Sequence, residues 1–406
     1  MTNVRQDAAD ITMFAPSSKT IPIAAQPQRV ASVDLVRGIV MILMALDHTR
    51  DFFSVLRFQP EDLSKATPFL FFTRWITHFC APTFFLLAGV GAALSMSRGK
   101  SKRQMSRFLF TRGLWLAFLE WTLYHFAWQF GIKPPVFLLV IWALGLSMVI
   151  LSALVYLPTK AIAVIAIVAI AGHNLLDGIN ADALGGFAGL WHVLHQPGPL
   201  MMKPFMVFIG YPIVPWFAVM ALGFALGEVF TWEPGRRRKF LIRAGLGMIV
   251  AFFVLRLPNL YGDTFSPWSV QKSLGLTLSS IGNATKYPPS LIYLLMTLGP
   301  TFIALALFEN ARGRVSQVIS VYGRVPMFYY TLHLFLIHTL AYGFAMYQGG
   351  DASFLNLDTE AFPKWYGTNL AGVYLAWVIV VSILYVPCRW YAGVKSRRKD
   401  WWLSYM

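Results

Sequence analysis

Apolar runs of about 20 residues, the length that spans a bilayer at 1.5 Å per residue, recur along almost the whole of this 406-residue chain. In lipid the backbone must satisfy its own polar groups, and a helix does so within one segment. Composition points the same way. Hydrophobic residues make up 57% of the chain and charged residues 13%, against about 25% charged in soluble domains. The net charge of +16 belongs to short loops. The basic patches interleaved with exposed aromatics that nucleic-acid binding needs are missing, so no nucleic-acid partner is expected. The expected fold class is an all-α polytopic integral membrane protein.

Spans are predicted near 32–49, 69–96, 107–129, 135–157, 160–176, 206–230, 240–258, 289–309, 322–345 and 369–390, a bundle of about ten transmembrane helices. With the N-terminus in the cytoplasm, 16 Lys and Arg fall in the inner loops and the C-terminal tail, and eight in the outer loops, spread over far more chain. That bias fits the positive-inside rule and puts both termini in the cytoplasm. Residues 1–28 are polar, with Pro16, Pro22 and Pro27, and lack a signal peptide's apolar core. They are expected to be a disordered cytoplasmic tail. Residues 29–394 form one helical domain, and 395–406 a basic cytoplasmic tail. Cys80 and Cys388 fall in or at the end of spans and cannot build a disulfide framework. There is no convincing internal repeat, which weighs against transporters built on inverted repeats.

Ionisable residues inside a membrane are costly and point to function. None of the eight histidines belongs to the cytoplasmic half of a predicted span, and His333 is near the middle of the ninth. In "DLVRGIVMILMALDHTRDFF" (34–53), Arg37 and His48 are eleven residues apart. That is three helical turns plus about 20°, so they share a face about 16 Å apart along the axis. Arg37 suits a phosphate. Asp51, one turn beyond His48, is placed to orient its imidazole, and Asp47 also flanks it. His78 follows Arg74 by four residues on one face. Glu120 is a lone carboxylate expected to pair with Arg112 or Arg74. His333 and His338 lie about 140° apart round their helix, poor for joint metal ligation, and one is expected to face the bundle interior. Arg324 is placed either to hold a donor phosphate or to snorkel. His192 and His195 read as solvated loop residues. The small residues of "LAGVGAAL" read as close helix packing. No Walker, HExxH or Rossmann motif is present, and no metal is expected.

"RVASVDLVRGIVMILMALDHTRDFF", "FFTRWITHFCAPTFFLLAGVGAAL", "YPIVPWFAVMALGFALG" and "YPPSLIYLLMTLGP…YGRVPMFYYTLHLFLIHTLA" resemble bacterial membrane proteins related to heparan-alpha-glucosaminide N-acetyltransferase. These pieces are distributed over most of the chain. The spacing of Arg37 and His48 also resembles that of integral-membrane O-acyltransferases. The resemblance implies a multi-pass protein of the bacterial inner membrane, acetyl-CoA or another acyl-CoA as donor inside, and a glycan or lipid-linked acceptor outside. A homodimer is compatible with it. It matches Arg37 to the donor-side arginine and His48 to the catalytic histidine. The lysosomal branch has a histidine in its first luminal segment, whereas residues 51–68 contain none. The base is therefore open between His48 and His78. Two other classes stand beside this reading: a transporter or flippase for an amphipathic glycan or lipid, and a haem-b electron carrier.

Overall fold

Each of the ten predicted segments contains helix in the computed structural model, which describes residues 30–132, 135–202, 205–356, 362–398 and 400–405. The expected tail at 1–28 lies outside the described residues. The first helix, α1, spans Ala31–Phe53. α2 (Pro68–Trp75) passes through a 3-10 turn into α3 (Cys80–Ser97). α4 (Lys102–Leu119) continues through a π-helical turn at Glu120–Tyr124 into α5 (His125–Gln129). α6 (Val140–Leu154) and α7 (Thr159–Gly172) follow, and α8 (Ala188–Leu194) lies in the long loop after them. α9 (Ile213–Leu226), α10 (Pro234–Arg256), α11 (Leu274–Gly282) and α12 (Leu291–Leu307) follow. α13 (Arg314–Arg324), α14 (Pro326–Gly349) and α15 (Leu370–Arg397) complete the bundle. Among the described residues, five helical segments are long and apolar enough to cross a membrane: Pro68–Ser97, Thr159–Leu176, Ile213–Thr231, Leu291–Asn310 and Leu370–Arg397.

Three local departures have physical causes. The segments 135–157 and 206–230 do not begin as helix. Strands β1 (Val136–Leu138), β2 (Gly198–Met202) and β3 (Phe205–Ile209) form a small sheet in the order β1-β3-β2. Prolines delay the helices: Pro135 precedes β1, and Pro212 biases Tyr211 away from helix before α9 begins. The segment 322–345 is divided at Pro326, the first residue of α14, which leaves Arg324 at the end of α13. The boundary expected at residue 394 falls inside α15, and Tyr405 beyond it lies 2.7 Å, hydroxyl to hydroxyl, from Thr111 of α4.

The outer helices bury one stripe each. α4 buries Met105, Leu109, Gly113, Leu116 and Leu119, a spacing of three to four that marks one helical face. Four crossings are made at glycines on both partners. A Cβ on Gly89 of α3 would sit 2.0 Å from the Met220 carbonyl oxygen of α9, and one on Gly223 of α9 would sit 2.0 Å from the Leu86 carbonyl oxygen. Gly113 and Gly145 face each other between α4 and α6, Gly245 and Gly299 between α10 and α12, and Gly38 and Gly323 between α1 and α13. α1 touches α3, α12, α13, α14 and α15 and is the axis of the bundle. We predict that Gly223→Ala destabilises the detergent-purified protein by about 1–3 kcal/mol, the usual effect of overpacking. Gly247→Ala, where nothing lies within 4 Å of the new carbon, should leave the melting temperature unchanged or raised. Equal melting temperatures for the two variants would count against the close crossing.

Candidate functional site

α1 carries charge at both ends, and a cavity forms against each. At one end Arg37 lines a chamber with Arg112 of α4, Arg324 of α13 and Lys395 of α15, over apolar walls from Met41, Leu87 and Ile141. At the other, Asp47, His48, Arg50 and Asp51 line a polar chamber with Glu61, Arg74, Lys286 and Tyr287. Met44, Phe84, Val140 and Tyr330 line both, so the chambers meet at an apolar neck. Their volumes, about 280 and 530 Å³, are close to those of ligand pockets, roughly 300–1,000 Å³.

The polar chamber is braced by ion pairs. Arg74 pairs with Asp47 through Nη1 and with Glu61 through Nε, the latter at 2.8 Å. Arg50 lies 3.1 Å from Asp47 and 2.6 Å from Asp51. With Lys286 the chamber walls hold three cations against three carboxylates, the balance a poorly hydrated site requires. Burial alone would raise the Glu61 carboxyl, but the Arg74 guanidinium outweighs it and holds Glu61 below the usual carboxylate range. At Tyr287, Lys286 and Arg74 likewise outweigh burial and draw the hydroxyl below its ordinary value.

A histidine pair stands at the edge of the chamber. His48 Nδ1 lies 2.7 Å from His333 Nε2, with the rings stacked at 4.9 Å. His333 is fully buried, and its Nδ1 lies 3.1 Å from the Tyr329 carbonyl oxygen. A carbonyl only accepts, so His333 Nδ1 carries the proton. A second proton would put a charge in an apolar interior, so His333 Nε2 accepts, and His48 Nδ1–H donates to it. That fixes the tautomer of His48 and leaves its Nε2 lone pair for the chamber. Trp128 meets the His48 ring edge-on at 4.9 Å.

Several expected partnerships are corrected. Asp51 does not orient His48; it pairs with Arg50, and His333 takes the orienting place. Glu120 pairs with neither Arg112 nor Arg74. Its Oε2 accepts from the Trp142 backbone N–H at 2.9 Å and so caps the first turn of α6, where orphan donors are found. His78 is buried and stands behind Glu61, its Nε2 3.5 Å from the carboxylate; it is not among the residues that line the chamber. Arg74 and Asp47 are its brace. His338 lies apart from His333, with Nδ1 2.9 Å from the Ala127 carbonyl oxygen. His192 and His195 are buried, not solvated. Arg37 pairs with Asp34 at 3.5 Å and donates to the Gly323 carbonyl oxygen at 3.2 Å while lining the basic chamber. The 2.7 Å between the paired histidines leaves no space for a haem iron between their nitrogens. Glu61, Lys286 and Lys395 were not singled out in the sequence; Lys286 directly precedes the "YPPS" stretch, the one signal that marks it.

The family model described as heparan-alpha-glucosaminide N-acetyltransferase, catalytic, matches residues 29–257, more than half of the chain. The chain belongs to this family. Membership and the apolar helices make it a multi-pass membrane protein with acetyltransferase activity. No curated protein matches the chain. The part matched to the acetyltransferase family holds Arg37, His48, Arg74 and Arg112. Lys286 and Arg324, which line the chambers, and His333, which backs His48, come from beyond it.

The Glu61 ion pair carries a pH signature. Its folded pKa is depressed, so its contribution to stability is fully present above the unfolded value of about 4.3 and is lost as pH falls through the folded value. We predict that Glu61→Gln lowers the melting temperature at pH 7 and that the gap to wild type narrows as pH is taken below that value. A gap that is constant with pH would assign the effect to packing.

Proposed function

We propose that this acetyltransferase moves an acetyl group from cytoplasmic acetyl-CoA, or a related acyl-CoA, to a hydroxyl or amine of a glycan or lipid-linked acceptor on the outer face. The observation that carries the reading is the pair of chambers joined at Met44, Phe84, Val140 and Tyr330. Arg37, Arg112, Arg324 and Lys395 would hold the phosphates of the donor, which suits guanidinium forks. The donor's arm would lie in the apolar neck and bring its thioester to His48. Both termini and the basic chamber are assigned to the cytoplasmic side, in a ten-span arrangement in the bacterial inner membrane.

The chemistry follows from the tautomer. The acceptor oxygen or nitrogen attacks the thioester carbon while His48 Nε2 takes its proton. The bond between carbon and sulfur breaks, and the departing thiolate receives that proton from Nε2. Between these events His48 is an imidazolium whose Nδ1–H stays bonded to His333 Nε2, so His333 holds the charged ring in place. His78 lacks access to the chamber, which favours His48 as the base. No metal takes part in this sequence.

His48→Ala should lower the rate about 10²–10⁴-fold, the usual worth of a general base, with acetyl-CoA binding intact. His333→Ala should lower kcat more than it changes KM, Asp51→Asn should cost less than His48→Ala, and His78→Ala should keep most of the activity. Arg37→Ala should weaken donor binding by about 1.5–3 kcal/mol. An active His48→Ala variant beside a dead His78→Ala variant would move the base to His78. Sidedness has its own measurement. In intact cells, an impermeant thiol reagent should label Asp182→Cys and miss Arg238→Cys, both exposed positions. Native Cys80 and Cys388 are buried. The opposite pattern would invert the arrangement.

A further inference from the structure

We propose that His173, Asp177 and His195 form a metal site that takes a zinc ion, apart from the acetyl-transfer chambers. His173 opens the 3-10 turn His173–Leu176 at the end of α7, and Asp177 follows that turn. His195 closes α8. One ligand atom from each of the three lies within 4.8 Å of the others.

A plain structural pairing accounts for only part of this cluster. His195 Nε2 lies 2.9 Å from Asp177 Oδ1, which explains two residues. His173 is only 3% exposed, yet neither of its ring nitrogens has a hydrogen-bond partner, and the same holds for Nδ1 of His195. Burying unpaired imidazole nitrogens is costly. A cation shared by the three side chains would give His173 a partner at one of those nitrogens. The carboxylate is already oriented for it: Asn174 Nδ2 donates to Asp177 Oδ2 at 2.9 Å, and Asn174 Oδ1 accepts from the Leu291 backbone N–H at 2.9 Å. Such outer support of a ligating side chain is typical of metal sites.

Ligand chemistry selects the metal. Two imidazoles and a carboxylate suit zinc, with a fourth position left for water. Calcium and magnesium prefer oxygen alone. Ligands at zinc's usual bond lengths stand about 3.3 Å apart in a tetrahedron, so the cluster closes by small side-chain rotations. The ion would replace the proton between His195 and Asp177, which leaves as binding occurs. A cavity lined by Asp177, His195, Gln196, Phe265 and Pro288 adjoins the cluster and offers water access. The ion would clasp the loop carrying α8 to the end of α7. Pro288 borders that cavity and follows Lys286 and Tyr287, which line the polar chamber.

The test uses tag-free, full-length protein in detergent, exposed to zinc, desalted and assayed by elemental analysis. Wild type should keep about one zinc per chain. His173→Ala and His195→Ala should keep almost none. His192→Ala should keep it, since the His192 ring bonds the Gln196 carbonyl instead. No zinc on wild type, retention by His173→Ala, or loss from all three variants would overturn the proposal. Should the alanine variants fail to fold, cobalt absorption of wild type decides: an intense four-coordinate band supports the site, and the weak spectrum of aqueous cobalt overturns it.

Discussion

Lipid gives one apolar helix little reason to leave it for another, so helices in a membrane are held by close packing and by hydrogen bonds between polar groups. This bundle meets that constraint at four crossings where glycine meets glycine. The Gly38–Gly323 contact matters most, because it seats α1 against α13. It brings the Gly323 carbonyl to Arg37 and leaves Arg324 at the rim of the same chamber. The position of the basic cluster thus depends on the absence of two side chains.

The opposite end of α1 is fixed by charge. Arg74 reaches from α2 to Asp47 and Glu61, and Arg50 joins Asp47 to Asp51. Removing one member would leave a buried charge unpaired, which costs more than the net worth of the pair. The network therefore fixes the last turns of α1, and with them the angle at which His48 meets His333. The dyad is neutral and the brace is balanced, so the polar chamber lies deep in an apolar bundle without a surplus of charge.

Periodicity and hydropathy made most of the helices legible, because burial in lipid writes itself into long apolar runs. Arg37 and His48 were legible as a pair because eleven residues nearly close three turns. Their partners were not. Asp51 has the spacing to reach His48 but turns to Arg50, and His333 lies 285 residues away in sequence, where no helical rule reaches. Glu120 was expected to find an arginine and instead caps α6, because four backbone N–H groups at a helix start compete for a nearby carboxylate. The buried state of His192 and His195 was hidden for a related reason. A loop rich in glycine reads as solvated, whereas here it folds back on α7 and encloses them. The strands at 136–138 and 205–209 were obscured by apolar runs too short to distinguish strand from helix.

The neck at Met44, Phe84, Val140 and Tyr330 bears on bioenergetics. In the proposed arrangement the two chambers would open towards opposite sides of an energised membrane, and such a pair forms most of an ion channel. An apolar constriction raises the cost of passing a hydrated ion or a proton chain through it, as dewetted gates do. Residues that look like simple packing would then have a second duty, which is to keep an acyl-transfer passage from dissipating the proton gradient. Selection at these four positions would answer to leakage as much as to catalysis, and a wider neck could harm the cell even if transfer itself ran faster.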